Sequence, residues 1–284
     1  MKILCILFTL SIICVYANDE ESVYHGSTPA HPDVRDFLDI PQTDSIDFIR
    51  WKLVLRSLQY DLKCQFGVSK GGTSGLINEK EVGFSGSLVM DGDYYILRRG
   101  DKTLNLLKIN PNLFHLLDKL KAFLVGNGSY SYVLNTDTPI KSGEFNLQFT
   151  QGPSENPMAF EGRTPCQELS RLMGLDKSDA CNKMKWYILL YVDAITKQPT
   201  YYLTGGRGYR KATMSKGNWE ITRGKDGKLI YKLDPEKKDS AVYLLIADDN
   251  ILFFTDPEGN LLVGNEDFSY TLNRTKDREP EINK

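Results

Sequence analysis

The stretch Leu261-Leu-Val-Gly-Asn-Glu-Asp-Phe-Ser-Tyr-Thr-Leu-Asn273 has a twin at Phe123-Leu-Val-Gly-Asn-Gly-Ser-Tyr-Ser-Tyr-Val-Leu-Asn135. Eight of the thirteen positions are identical, without a gap, at an offset of 138. Self-similarity of this kind makes an internal repeat the first property to follow outward. Upstream, Thr103 to Asp118 answers Ala241 to Asp256 at the same offset, and Arg50-Trp51-Lys52 answers Lys185-Trp186-Tyr187. At the start, Tyr24-His-Gly-Ser-Thr-Pro29 answers Phe160-Glu-Gly-Arg-Thr-Pro165, and Arg35 answers Arg171. The expected offset drifts between 131 and 138, as short loop insertions within one fold would make it. The repeat, residues 24–135 and 160–274, is far longer than a solenoid unit, so the chain reads as a duplicated domain.

Each copy begins with a segment of helical character, residues 32–38 and 166–175, and Pro165 suits the first position of the second helix. Aromatic and aliphatic runs follow, among them Trp51-Lys-Leu-Val-Leu-Arg56 and Trp186-Tyr-Ile-Leu-Leu-Tyr-Val192. They alternate with turn signals such as Asp91-Gly92, Asn127-Gly128 and Asp248-Asp-Asn250. The runs in residues 86–90 and 94–98 are matched to 218–222 and 229–233. Six to eight short strands per copy, closely spaced, predict an all-β chain with minor α content: two tandem meander β-barrels. Residues 136–159, with Pro139, Pro153 and Pro157, read as a linker in which Glu144 to Phe149 alternates like one extra strand.

Residues 1–17 carry Lys2, an apolar run from Ile3 to Val15, and small residues at Val15 and Ala17 before the polar Asn18-Asp-Glu-Glu21. This is the pattern of a secretory signal peptide cleaved after Ala17. No later run is long and apolar enough to be a transmembrane segment in the mature chain, so the expected product is secreted or extracytoplasmic. Against 35 basic residues stand 37 acidic ones, a formal charge of −2, which gives no electrostatic case for a nucleic-acid partner.

Three cysteines remain after cleavage: Cys64, Cys166 and Cys181. The first copy has Ala30 and Ile46 where the second has Cys166 and Cys181, so the pair is absent as a unit, as expected of a disulfide. Closing such a loop is worth about 3 kcal/mol in the chain-entropy model. A metal pair would prefer a C-x-x-C spacing or nearby histidine, yet His25, His31 and His115 all lie in the other copy. Cys64 reads as a buried free thiol. The acidic series Asp33, Asp36, Asp39, Asp44 and Asp47 reads as an exposed face, because Pro41 breaks its period and no EF-hand order is present.

The glycine-rich loop Gly205-Gly-Arg-Gly-Tyr-Arg-Lys211 fits no phosphate-binding fingerprint. With Arg207 and Arg210 in that loop, and Trp186 and Tyr202 on neighbouring strands, it marks the candidate ligand residues of the second copy. Asn127-Gly-Ser129 and Asn273-Arg-Thr275 are N-glycosylation sequons if the host is eukaryotic. No nucleophile elbow, HExxH helix or nucleophile–base order is present, so no catalytic, cofactor or metal residue is assigned.

The second copy resembles the N-terminal domain of the NlpE family of copper-resistance and envelope-stress proteins. The resemblance lies in Gly162-x-x-Pro165-Cys166, Gly217-x-Trp219-x-Ile221, Tyr231-x-Leu233, the Asp256-Pro-Glu-Gly259-Asn260 turn and the closing Tyr270-Thr-Leu272. It implies a small lipocalin-like barrel. The family's second cysteine, three residues after the first, is replaced here by Leu169, and its lipidated cysteine is missing, so copper binding and signalling are assigned to no residue. The expected function is a non-catalytic binding or interaction module for an unidentified protein. The alternatives are a carrier holding a small apolar ligand inside the second barrel, and a secreted hydrolase using carboxylates.

Overall fold

The computed structural model describes residues 21–71, 73, 75–147, 155–175, 181–205, 214–224, 227–234, 236 and 240–276. The expected duplication takes the form of two closed antiparallel barrels of eight strands each. In the first, β1 (Ser22–Thr28) is followed by helix α1 (Pro32–Phe37), β2 (Phe48–Arg56), β3 (Gln59–Ser69), β4 (Leu76–Asp91), β5 (Tyr94–Arg99), β6 (Lys102–Asn110), β7 (Leu113–Leu117) and β8 (Val133–Thr136). The second repeats the order: β9 (Met158–Thr164), α2 (Gln167–Leu172), β10 (Met184–Val192), β11 (Pro199–Gly205), β12 (Ser215–Arg223), β13 (Leu229–Leu233), β14 (Val242–Ile246), β15 (Ile251–Thr255) and β16 (Thr271–Thr275). Every strand pairs with its chain neighbour. Each barrel then closes by pairing its last strand with its first, β8 with β1 and β16 with β9.

Alternation along the strands fills the interiors. In β3, Tyr60, Leu62, Cys64 and Phe66 point inward while Asp61, Lys63 and Gln65 face outward. Helix α1 sends Val34 and Phe37 into the same cluster, plugging the barrel. The second interior is occupied in the same way by Trp186, Trp219, Tyr231 and Phe254 among others, with Leu169 of α2 as the plug residue. Glycine is required where strands meet at closure: a Cβ on Gly26 would lie 2.5 Å from the Val133 carbonyl oxygen, and one on Gly162 would lie 2.6 Å from that of Thr271.

The plug segments are pinned by different chemistry. In the first copy the buried Arg35 guanidinium donates to the carbonyls of Ala30, Pro41 and Asp44 at 2.8–3.0 Å, holding the chain after the helix. Its counterpart Arg171 faces Glu168 in solvent instead. There the disulfide between Cys166 and Cys181 ties α2 to the approach to β10. The first copy's acidic series is not a bare surface. Asp36 and Asp39 reach Lys102, Asp33 and Asp36 reach Lys119, and Asp44 reaches Lys80.

The barrels are joined face to face. Strands β7 and β15 are buried along their whole length, with alternate residues serving the barrel interior and the junction. Leu107, Ile109, Leu113, Leu117 and Val133 pack against Leu245, Ala247, Ile251, Phe253 and Leu261 in one cluster. The contacts are reciprocal, as in an isologous dimer. Gly126 N donates to Asn273 Oδ1 (2.7 Å), and its equivalent Gly264 N donates to Asn135 Oδ1 (2.9 Å). Residues 138 apart meet their own counterparts at the axis: Ser131 with Ser269, the Tyr130 ring stacked on Phe268, and His115 edge-on to Phe253. The repeated stretch that revealed the duplication is therefore the junction itself.

Three sequence expectations need correction. Gly86 lies against Tyr60 and Gly217 against Tyr202, so these cross-strand pairs are equivalent. The offsets are then 142 for the tyrosines and 131 for the glycines, a wider drift than expected and one residue away from the 86–90/218–222 match. Of the extra strand expected at 144–149, residues 144–147 form no strand, with Asn146 N alone bonding to the first barrel at the Ile109 carbonyl, and 148–149 lie outside the described residues. The second barrel begins with β9 at Met158, inside the segment read as linker.

His115 is fully buried in this junction. Nδ1 donates to the Leu116 carbonyl at 2.7 Å, and Nε2 has no partner among the described residues. Burial pushes its pKa down to about 4, against which the Leu116 hydrogen bond acts weakly. Between the unfolded value of 6.5 and that figure, the unfolded chain holds a proton that the folded chain refuses, so stability falls as pH drops through this window. The expected loss is about 3 kcal/mol, and His115→Phe, the residue of the other copy, should flatten it in denaturant titrations at successive pH values. Asn135→Ala and Asn273→Ala should each lower the denaturation free energy by about 1–2 kcal/mol, and by nearly equal amounts because their contacts are reciprocal.

Candidate functional site

The residues singled out in the second copy are not brought together as a ligand site. Trp186 is buried, donates through Nε1 to Thr164 Oγ1 (2.9 Å), and lies against the Phe254 ring. Trp51 makes the same bond to Thr28 in the first copy, so this arrangement is scaffold. Tyr202 is likewise buried beside Gly217. Its hydroxyl is pushed out of the ordinary range chiefly by burial, then by the charge of Asp234 and the hydrogen bond to it. Trp186 and Tyr202 thus belong to the barrel interior, with their polar atoms engaged within the protein. Arg207 and Arg210 lie outside the described residues.

The two sequons also separate. Asn127 is exposed, and its Oδ1 accepts from Ser129 N and Tyr130 N in a turn that Asn265 repeats in the other copy. Asn273 is 1% exposed and holds Gly126 across the junction, so its expected glycosylation is corrected: the folded chain has no room there for a glycan. Cys64 is free and buried, and burial raises its thiol well above the usual value. No group of three or more metal-ligating side chains occurs among the described residues.

A different feature has the shape of a site. Residues 140–147 form a strap anchored on the first barrel at both ends. The Asn112 side chain clamps the backbone of Ile140 through two hydrogen bonds, and Asn146 bonds to the carbonyls of Lys108 and Ile109. Between these anchors the strap crosses the outer wall of the second barrel. The Lys228 ammonium donates to the Phe145 carbonyl (2.5 Å) and sits 4.5 Å from its ring centroid. A cleft of about 690 Å³ opens between strap and wall, within the size range of small-molecule pockets.

The cleft floor is Ile230 on β13, Tyr243 and Leu245 on β14, and Thr255 on β15. These are the outward residues of strands whose inward residues build the barrel core. Lys141, Arg223 and Lys228 stand at its rim, with the turn of residues 256–260 opposite. Both oxygens of Asp256 in that turn are occupied by Asn260, through its backbone N–H and its side-chain amide. Thr255 is 3% exposed, and its Oγ1 has no hydrogen-bond partner among the described residues.

The sequence carried one usable signal of this cleft. Val242-Tyr-Leu-Leu-Ile246 and Ile251-Leu-Phe-Phe-Thr255 are continuous rather than alternating, the mark of strands covered on both faces. What covers the outer face is set by the strap, and nothing local to those strands shows it.

No protein-family model, no curated protein and no solved structure matches the chain.

Replacing both Cys166 and Cys181 by Ser removes a closure of sequence separation 15. The expected loss of about 3 kcal/mol should be read in chemical denaturation. Reductant should reproduce it in the native chain and leave the double variant unchanged.

Proposed function

We propose that the chain is an extracytoplasmic, non-catalytic binding protein in which two NlpE-like barrels form one rigid scaffold and recognition takes place on their outer surfaces. The observation that carries this reading is the cleft between strap and second barrel, which combines an apolar floor, a cationic rim and a buried hydroxyl without a hydrogen-bond partner among the described residues. The barrel interiors are occupied by the chain's own aromatic side chains, so binding on an outer wall is favoured over a carrier cup inside the second barrel. The Cys166–Cys181 bridge supports an oxidising compartment. The apolar leader of residues 1–17 supports export, and no described helix is long and apolar enough to cross a membrane. The resemblance to the NlpE domain supports the barrel type alone.

The titratable groups favour binding over hydrolysis. Asp248, half-buried and raised chiefly by desolvation, is the described carboxylate most altered in the direction of a general acid. Its Oδ1 is taken by the backbone N–H groups of Asn250 and Ile251, which is turn chemistry. Expressed in its own host, the protein is expected in the medium or envelope fraction with Asn18 as its first residue and the disulfide formed. It should turn over chromogenic ester, glycoside and peptide substrates no faster than a heat-denatured control. Retention of the uncleaved chain in the cytosol overturns the location, and turnover abolished by Asp248→Asn overturns the non-catalytic reading.

A further inference from the structure

We infer that the cleft between the strap and the outer wall of the second barrel binds an amphipathic anion: a flat or elongated apolar body bearing one acidic group. The inference rests on the binding reading above and gives it a ligand class. The first support is divergence between the copies. At the junction the two barrels are related by a pseudo-two-fold axis, and a corresponding cleft of about 380 Å³, bordered by Phe145 and Asn146 of the same strap, lies on the other side, lined by Tyr94, Leu107, Leu117 and Lys121. At the repeat offset of 138, Leu117 becomes Thr255 and Asn105 becomes Tyr243. Duplication preserves a scaffold without selection for a ligand. Of the facing floor residues, Leu107 and Leu245 correspond, while the two that differ make this floor aromatic at Tyr243 and hydroxylated at Thr255.

The second support is Thr255. An unpaired buried hydroxyl costs about 1–3 kcal/mol relative to a bonded one. Leucine, the residue of the other copy, would avoid that cost. A guest carrying an acceptor above Leu245 and Tyr243 would satisfy the hydroxyl and cover the apolar floor together.

The third support is charge. Three cations stand at the rim, of which Lys228 is held by the Phe145 carbonyl and ring while Lys141 and Arg223 face solvent. Of the two carboxylates in the facing turn, Asp256 is committed to Asn260, and both Asp256 and Glu258 act on Arg171 of α2, outside the cleft. Lys141 and Arg223 are exposed at the mouth, where an acidic group can stay partly hydrated while its apolar body enters. The arrangement suits an anion at the rim and apolar matter at the floor, and it disfavours a cationic or uniformly polar guest.

The test uses the full mature chain and anilinonaphthalene sulfonate, an aromatic anion whose fluorescence rises on leaving water, beside the uncharged phenylnaphthylamine. The expected result is one saturable site for the sulfonate, with the neutral compound at least about tenfold weaker. Thr255→Val should weaken sulfonate binding about fivefold, in line with the loss of one hydrogen bond. Arg223→Gln should weaken it and make it less dependent on salt. Tyr243→Asn, which restores the residue of the first copy, should weaken it as well, and Lys121→Gln in the opposite cleft should not. Arg223 is exposed, so its variant keeps the test decisive if Thr255→Val fails to fold, which near-ultraviolet circular dichroism would reveal.

Equal affinity for the neutral compound overturns the ligand class. Insensitivity to Arg223→Gln together with Tyr243→Asn, or the absence of a saturable site, overturns the location. Either failure leaves the non-catalytic extracytoplasmic reading standing, since secretion and substrate turnover decide that one.

Discussion

Strands β7 and β15 are covered on both faces, and the rest of the molecule follows from that constraint. Each belongs to a barrel that needs its inward residues for a core, and each gives its outward residues to the other barrel. The apolar attraction between two such strands has no direction of its own. Direction comes from the reciprocal hydrogen bonds of Asn135 to Gly264 and Asn273 to Gly126, which fix one barrel relative to the other about a pseudo-two-fold axis. A side chain on Gly126 would come 2.3 Å from the Tyr130 carbonyl and 2.8 Å from Asn273, so the close approach depends on glycine there. The same burial that joins the barrels strips water from His115 and makes the junction sensitive to acid.

The two copies show which parts of the barrel are structural necessity and which can vary. The Trp–Thr pair, the Tyr–Gly pair and the closure glycines recur in both. The means of holding the plug helix does not: a guanidinium bonded to three carbonyls in one copy is replaced by a disulfide in the other. Both solve the same problem, the entropy of a segment that leaves the sheet to cap the barrel and must return. With the scaffold duplicated, one outer wall could change without disturbing a core, and Tyr243 and Thr255 are such changes.

Much of this is legible in the sequence, for identifiable reasons. Strand periodicity and turn residues are local properties, and the ungapped repeat marked its own importance. The pairing of Cys166 with Cys181 followed from their joint absence in the other copy and is present in the structure. What is not legible shares a cause. Trp186 and Tyr202 read equally as core and as pocket residues in the sequence, and the partners of their polar atoms appear only in the fold. Asn273 is a sequon whose burial depends on the connection between β7 and β8 in the other half of the chain, through Gly126. Matching residues 86–90 to 218–222 missed by one residue, and in a strand a slip of one exchanges the inner and outer faces.

By itself the sequence determined two all-β domains of common origin, their order and strand content, and the cysteine pairing. All of these depend on residue type and spacing along the chain. Tertiary structure alone decided that the repeated stretches face one another and that the strap crosses the opposite barrel. It also decided that a cleft remains between that strap and Thr255. Those outcomes depend on which outer face meets which, and a β-strand carries the pattern of its faces without naming the surface that will cover them.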